Sequence, residues 1–154
     1  MEYEELKKEA QELYNSTRKV FSPLFNEKVS FPSEGFNHIV FKKGRKEREK
    51  SSQVLRFQLL KKAIKLLSVA TTYQEYDEKI GSFTVKIRKK KEERTKIVRY
   101  WGIIAIIDGT KIKVIIRKIG NGNFHFWSIV PNWQTNTYRD KKLYSTMKGK
   151  PEED

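Results

Sequence analysis

Asp108-Gly109 lies between two runs of branched apolar residues, IVRYWGIIAII before it and TKIKVIIRKI after it. An Asp-Gly pair flanked in this way is a strong hairpin signal, because a type I′ turn needs positive φ at both central positions. The dipeptide therefore commits the second half of the chain to antiparallel β structure, and it also sets a register. With a two-residue loop, Ile107 lies opposite Thr110, Ile104 opposite Lys113, Gly102 opposite Ile115 and Tyr100 opposite Arg117.

A second turn is written in Gly120-Asn121-Gly122-Asn123, followed by a strand over 124–130 that Pro131 ends. Centred on Asn121-Gly122, this turn puts Ile119 opposite Phe124, Arg117 opposite Phe126 and Ile115 opposite Ser128. Upstream, Phe83, Val85 and Ile87 alternate with polar residues, as in a half-buried strand. The second half thus reads as four strands joined by hairpins.

The first half has the other period. Over 4–20, apolar residues recur at Leu6, Ala10, Leu13, Tyr14 and Val20, which is one helical stripe. Over 53–70, Val54, Leu55, Leu59, Ala63, Leu66, Leu67 and Ala70 make a wider stripe, expected to lie on the sheet, with Ser51 or Ser52 as N-cap. Pro23 and Pro32 mark a non-helical connection, and 36–41 (FNHIVF) reads as a brief strand or the entry to a helix. The expected fold is α+β, two N-terminal helices packed on a four-stranded antiparallel β-meander. We expect one domain, with an N-terminal helix and connection over 1–33, a core over 34–131 and a polar tail over 132–154.

The charge narrows the partner class. Thirty-three Lys and Arg stand against nineteen Asp and Glu, a net charge of +14. The excess is concentrated. Residues 42–50 (KKGRKEREK) hold six basic and two acidic residues, and 86–99 (KIRKKKEERTKIVR) hold eight and two. Cations at this density attract polyanions through counterion release and steering, so nucleic acid is the expected partner. Lys42, Lys43, Arg45, Lys46 and Arg48 in the first run, and Lys89, Lys90, Lys91 and Arg94 in the second, are the expected phosphate contacts. The chain has no Cys, and its two His give no metal-ligand spacing. No cofactor or metal is expected. No apolar run approaches a membrane span. The charged N-terminus has no signal-like apolar stretch, so a cytoplasmic location is expected, with no membrane partner.

The register divides the side chains of the meander. One face takes Trp101, Ile103, Ala105, Ile107, Ile112, Val114, Ile116, Trp127 and Ile129, the expected core. The other takes Tyr100, Lys113, Arg117, Phe124, Phe126 and Ser128. Cations can hold a phosphate there, and Tyr100 and Phe126 can stack bases. A bulge in either strand would exchange the faces. Metal-free cleavage of RNA needs a base for the 2′-OH, a cation for the phosphorane and an acid for the leaving oxygen. His38 is the candidate acid or base, expected near charge and solvent. Lys113 and Arg117 are the candidate cations, and Ser128 is a hydroxyl contact. His125, expected toward the core face beside Lys118, and Tyr73 are further candidates. Ser128 has no nucleophile-elbow motif around it, and no phosphate-binding glycine loop is present.

Two segments carry a family resemblance. FNHIVFKKGRKERE resembles the His-plus-basic segment, and YWGIIAIIDGTKIKVIIRKIGNGNFHFWSIVP the cation-bearing hairpin, of the barnase / EndoU / colicin D / RelE-like nuclease superfamily. The likeness extends over 34–130, although the usual second His or Lys-His pair does not follow the first segment. It implies a small metal-independent endoribonuclease of phage or toxin type. On it, His38 would be the acid or base, Lys113 and Arg117 the transition-state cations, and Ser128 a hydroxyl contact. An acidic inhibitor or antitoxin protein would be a fitting partner. The other readings are a non-catalytic RNA- or DNA-binding module and an accessory subunit of a ribonucleoprotein.

Overall fold

The hairpin signals and the change of period are both realised in the computed structural model, which describes residues 2–42 and 46–131 and the backbone of Ser145 and Thr146. Strands β3 (Glu75–Ile87), β4 (Lys90–Ile107), β5 (Thr110–Ile119) and β6 (His125–Pro131) form the antiparallel meander. Asp108 and Gly109 have φ of 50° and 78°, as a type I′ turn demands. Ile107 pairs with Thr110, Ile104 with Lys113 and Tyr100 with Arg117, as the turn predicts.

The sheet is wider than four strands. Two short strands, β1 (Lys19–Ser22) and β2 (Glu27–Ser30), occupy the expected connection as a hairpin. β2 joins β6 in parallel at one position, Ser30 to His125, and β7 (Ser145–Thr146) joins β3 in parallel. Among the described residues the sheet is mixed and seven-stranded, in the order β1-β2-β6-β5-β4-β3-β7. Among the described residues three helices, not two, accompany it: α1 (Tyr3–Thr17), α2 (Ser33–Val40) and α3 (Lys50–Val69). Of FNHIVF, residues 36–40 are helical, because Phe36, Ile39 and Val40 fall on one side of α2 and are all buried, and Phe41 is the extended residue that ends the helix. α3 starts at Lys50, and neither Ser51 nor Ser52 is its N-cap; Glu49 holds that place without a side-chain bond.

The helices cover one sheet face. Leu60 and Leu67 of α3 and Ala10 and Tyr14 of α1 pack with Ile103, Ile112, Val114, Ile116 and Ile129, each large side chain worth about 1.5–3 kcal/mol on burial. Tyr14 sits among the rings of Phe31, Phe36 and Phe126, and its hydroxyl donates to the Pro32 carbonyl.

One irregularity changes the other face. The β5–β6 register shifts between Ile115 and Ile116, so Ile115 faces Ser128 as expected but Ile116 faces Phe126 and Arg117 faces His125. Trp127 is the extra residue of a β-bulge. Beyond it the faces exchange. Phe126 turns into the helix-side core with 1% exposure, while His125 and Trp127 turn to the opposite face, where Trp127 packs on the small cluster of Val98, Tyr100 and Ile115. The expected placing of Phe124 and Phe126 on the open face, and of Trp127 and His125 on the core face, is corrected by this one residue.

β3 and β4 outrun the sheet. β5 stops pairing with β4 at Val98, yet β3 and β4 stay paired from Ile80–Ile97 to Ile87–Lys90. Among the described residues this stretch is a two-stranded ribbon, roughly 23 Å long at about 3.3 Å per residue.

Candidate active site and nucleic-acid interface

Helix α2 takes over the edge of β6 beyond the single β2 pairing. Its close approach depends on Gly35. A Cβ there would stand 2.7 Å from the Phe126 carbonyl oxygen and would also strike the Tyr14 hydroxyl. With Phe36, Ile39 and Val40 turned to the core, Glu34 and His38, one helical turn apart, reach toward β5 and β6.

Arg117 of β5 is where these elements meet. Its Nε donates to His125 Nε2 at 2.7 Å, and its Nη2 donates to Glu34 Oε2 at 3.0 Å. Its Cζ lies 3.6 Å from the ring centroid of Trp127. Trp127 also stacks on the His38 imidazole, with centroids 4.4 Å apart and planes 22° apart. Because a guanidinium only donates, His125 Nε2 accepts, and the ring proton is on Nδ1, which donates to the Asn123 carbonyl at 3.2 Å. Both bonds suit a neutral imidazole. Burial, and after it the Arg117 charge, lower the His125 pKa below its ordinary 6.5. The Arg117 side chain is only 10% exposed, whereas Glu34 is 69% exposed. The cluster is therefore anchored inside and open at its carboxylate.

Several expected site residues do other work. Lys113 is fully buried, and its Nζ pairs with Glu75 Oε2 at 3.3 Å, both side chains being at most 1% exposed. Ser128 is fully buried, and Tyr100 is 4% exposed in the small cluster. These three are packed away from solvent, as is Phe126. His38 is 7% exposed, stacked and not solvent-facing, which corrects its expected position. Arg48, expected on phosphate, is buried and donates from Nε to the His38 carbonyl at 3.0 Å. It holds the end of α2 in place.

The other cations stand on the surface. Lys42 and Lys46 are exposed, and the Lys42 N–H donates to the Lys46 carbonyl; Lys43 and Arg45 lie outside the described residues. Lys89, Lys90, Lys91 and Arg94 are exposed on the ribbon. Its turn residues, Arg88 and Lys89, have φ of 49° and 65°. Left-handed backbone costs a residue with a Cβ about 1–2 kcal/mol, and a two-residue turn here would ordinarily be Asn-Gly. The tip holds two cations where stability alone would not place them. Tyr73 is half-buried, its ring 6.2 Å from Tyr76.

Sequence reasoning missed Glu34 and Trp127. The Glu34-x-x-x-His38 spacing would have found the first once 36–41 was taken as a helix. Trp127 was hidden by the bulge, which leaves no mark in the residue pattern. Among the described residues no His, Asp and Glu gather as metal ligands would, and no helix is long and apolar enough to cross a membrane. Comparison with protein-family models, curated proteins and solved structures finds no match for this chain.

Proposed function

We propose that this protein is a small, basic, metal-independent endoribonuclease that cleaves RNA by attack of the 2′-OH on the adjacent phosphate. The observation that carries the reading is the Arg117 guanidinium, held within hydrogen-bonding distance of an exposed carboxylate and an imidazole. These are the cation, base and acid that the reaction needs. The reading agrees with the resemblance to barnase / EndoU / colicin D / RelE-like nucleases but moves the roles to Glu34, Arg117 and His125, with His38 as a packing residue.

The steps follow from the chemistry of the three groups. A phosphate entering at Arg117 displaces Glu34, the exposed partner of the pair. The freed carboxylate takes the 2′-OH proton. The 2′ oxygen bonds to phosphorus, and the P–O5′ bond breaks as His125, protonated by solvent at Nε2 once the phosphate has taken over the Arg117 N–H groups, gives that proton to the leaving oxygen. The products are a 2′,3′-cyclic phosphate and a 5′-hydroxyl. The phosphate anion between Arg117 and His125 offsets the repulsion that otherwise keeps His125 neutral. Lys89, Lys90, Lys91 and Arg94 on the ribbon draw in the RNA backbone.

A second reading, a nucleic-acid-binding module without catalysis, is favoured by the burial of His38, Lys113 and Ser128. The deciding experiment incubates end-labelled RNA and matched DNA with the protein in EDTA, beside Arg117→Ala and His125→Gln. RNA-only cutting to cyclic phosphates, lost in both variants, is the expected result. RNA that shifts in a gel but stays intact selects the binding module.

A further inference from the structure

On the helix-covered face, the helices stop short of the ribbon. The row Ile103–Val114 is buried, but in the next row Trp101 and Tyr76 are half-exposed. Trp101 gathers three other rings. Its centroid lies 5.5 Å from Tyr76, 5.3 Å from Phe124 and 5.1 Å from Phe25, and Phe25 stacks on Phe124 at 4.2 Å. All four rings are half-exposed. One row further out, Arg99 and Lys118 pair across β4 and β5 on the same face. Lys118 Nζ lies 4.6 Å over the Phe124 ring, and Arg99 is steadied by Glu78 at 3.4 Å.

We infer that this row of rings is a stacking platform for unpaired bases of single-stranded nucleic acid, with Arg99 and Lys118 taking its phosphates. The two rows are two residues apart along the strands, roughly 7 Å, which suits the reach of a nucleotide from base to phosphate. Ring faces attract bases only when these are free of a duplex. A protein partner is the poorer fit, because Arg99 and Lys118 border the rings and, past the exposed pair Ile80 and Ile97, the ribbon carries Lys86, Lys90, Lys91 and Arg94 in a chain with a net charge of +14. The inference shares with the proposed function only its polyanionic ligand, since the platform lies on the sheet face opposite Glu34, Arg117 and His125.

The test uses fluorescence anisotropy with a labelled twelve-residue oligo-deoxythymidine and the same strand in duplex with oligo-deoxyadenosine. Neither has a 2′-OH, so binding is measured apart from cleavage. Tighter binding of the single strand is expected. Trp101→Ala should weaken it roughly 5- to 150-fold, Trp101→Phe should stay within about threefold, and duplex binding should change little. Should Trp101→Ala fail to fold by circular dichroism, Tyr76→Ala at the outer end of the row replaces it, with a loss in the lower part of that range. Single-strand affinity unchanged within twofold, or an equal loss for duplex, overturns the platform. RNA cleavage that survives such a result leaves the proposed function standing, and oligonucleotide binding without RNA cleavage leaves the platform standing.

Discussion

The Arg117 guanidinium lies 3.6 Å from the centroid of the Trp127 ring. That contact exists because Trp127 is the extra residue of the β6 bulge. In a regular strand its side chain would face the helices and Phe126 would face Arg117. A guanidinium held by a ring face, with little room to turn, keeps its N–H groups aimed at His125 and Glu34, whereas a flexible one would first have to be ordered by a phosphate.

Trp127→Leu should therefore lower kcat/KM for RNA cleavage about 10- to 100-fold, while Trp127→Phe keeps most of the activity. Steady-state kinetics beside urea unfolding measures both. A loss of stability with kcat/KM unchanged would show that the ring serves packing alone.

His125 gives a pH signature. Burial and the Arg117 charge hold its folded pKa below 6.5, so between that value and about 6.5 the unfolded chain binds more protons. Stability rises with pH across this window, is complete above it, and is lost as pH falls through it. His125→Asn should flatten that slope in urea melts taken between about pH 5 and pH 7. With His125 as the proton donor, cleavage should be fastest on the acid side of neutrality.

Lys113 and Glu75 are a buried ion pair. Lys113→Met leaves a carboxylate buried without its cation and should cost about 3–5 kcal/mol, whereas Lys113→Met with Glu75→Leu should recover most of the loss. Chemical denaturation of both variants measures the difference. Equal losses in the two would show that the pair is not the source of the cost.

The ribbon tip should oppose stability to binding. Arg88→Asn with Lys89→Gly gives the turn the residues its φ values ask for and should raise stability by about 1 kcal/mol. The same change removes two cations, so it should weaken RNA binding and flatten the log–log salt dependence by about 1–2. Thermal melts and salt titrations report the two effects separately.

Gly35→Ala should destabilise the fold by about 1–3 kcal/mol, because its Cβ would meet the Phe126 carbonyl at 2.7 Å. If α2 shifts to make room, Glu34 leaves Arg117 and cleavage falls as well. Unfolding and cleavage assays on this variant test how rigidly α2 is seated.

Local chemistry determined much of this protein. Asp108-Gly109 set the β4–β5 register residue by residue, because a two-residue type I′ loop admits one pairing. The spacing of Leu59, Ala63, Leu66 and Leu67 set the covering face of α3, and the density of Lys and Arg over 86–99 marked the ribbon. Tertiary structure decided the rest. The strand pairings of β1, β2 and β7 depend on sheet edges that only the assembled meander offers, so short segments such as Glu27–Ser30 carry no strong signal of their own. The bulge at Trp127 depends on the fit of Phe126 among Tyr14, Phe31 and Gly35, contacts from distant parts of the chain. That single extra residue sends Phe126 inward and brings His125 to Arg117. Side chains two apart on an ideal strand share a face by geometry alone, whereas which of them meets solvent is settled by what packs above them.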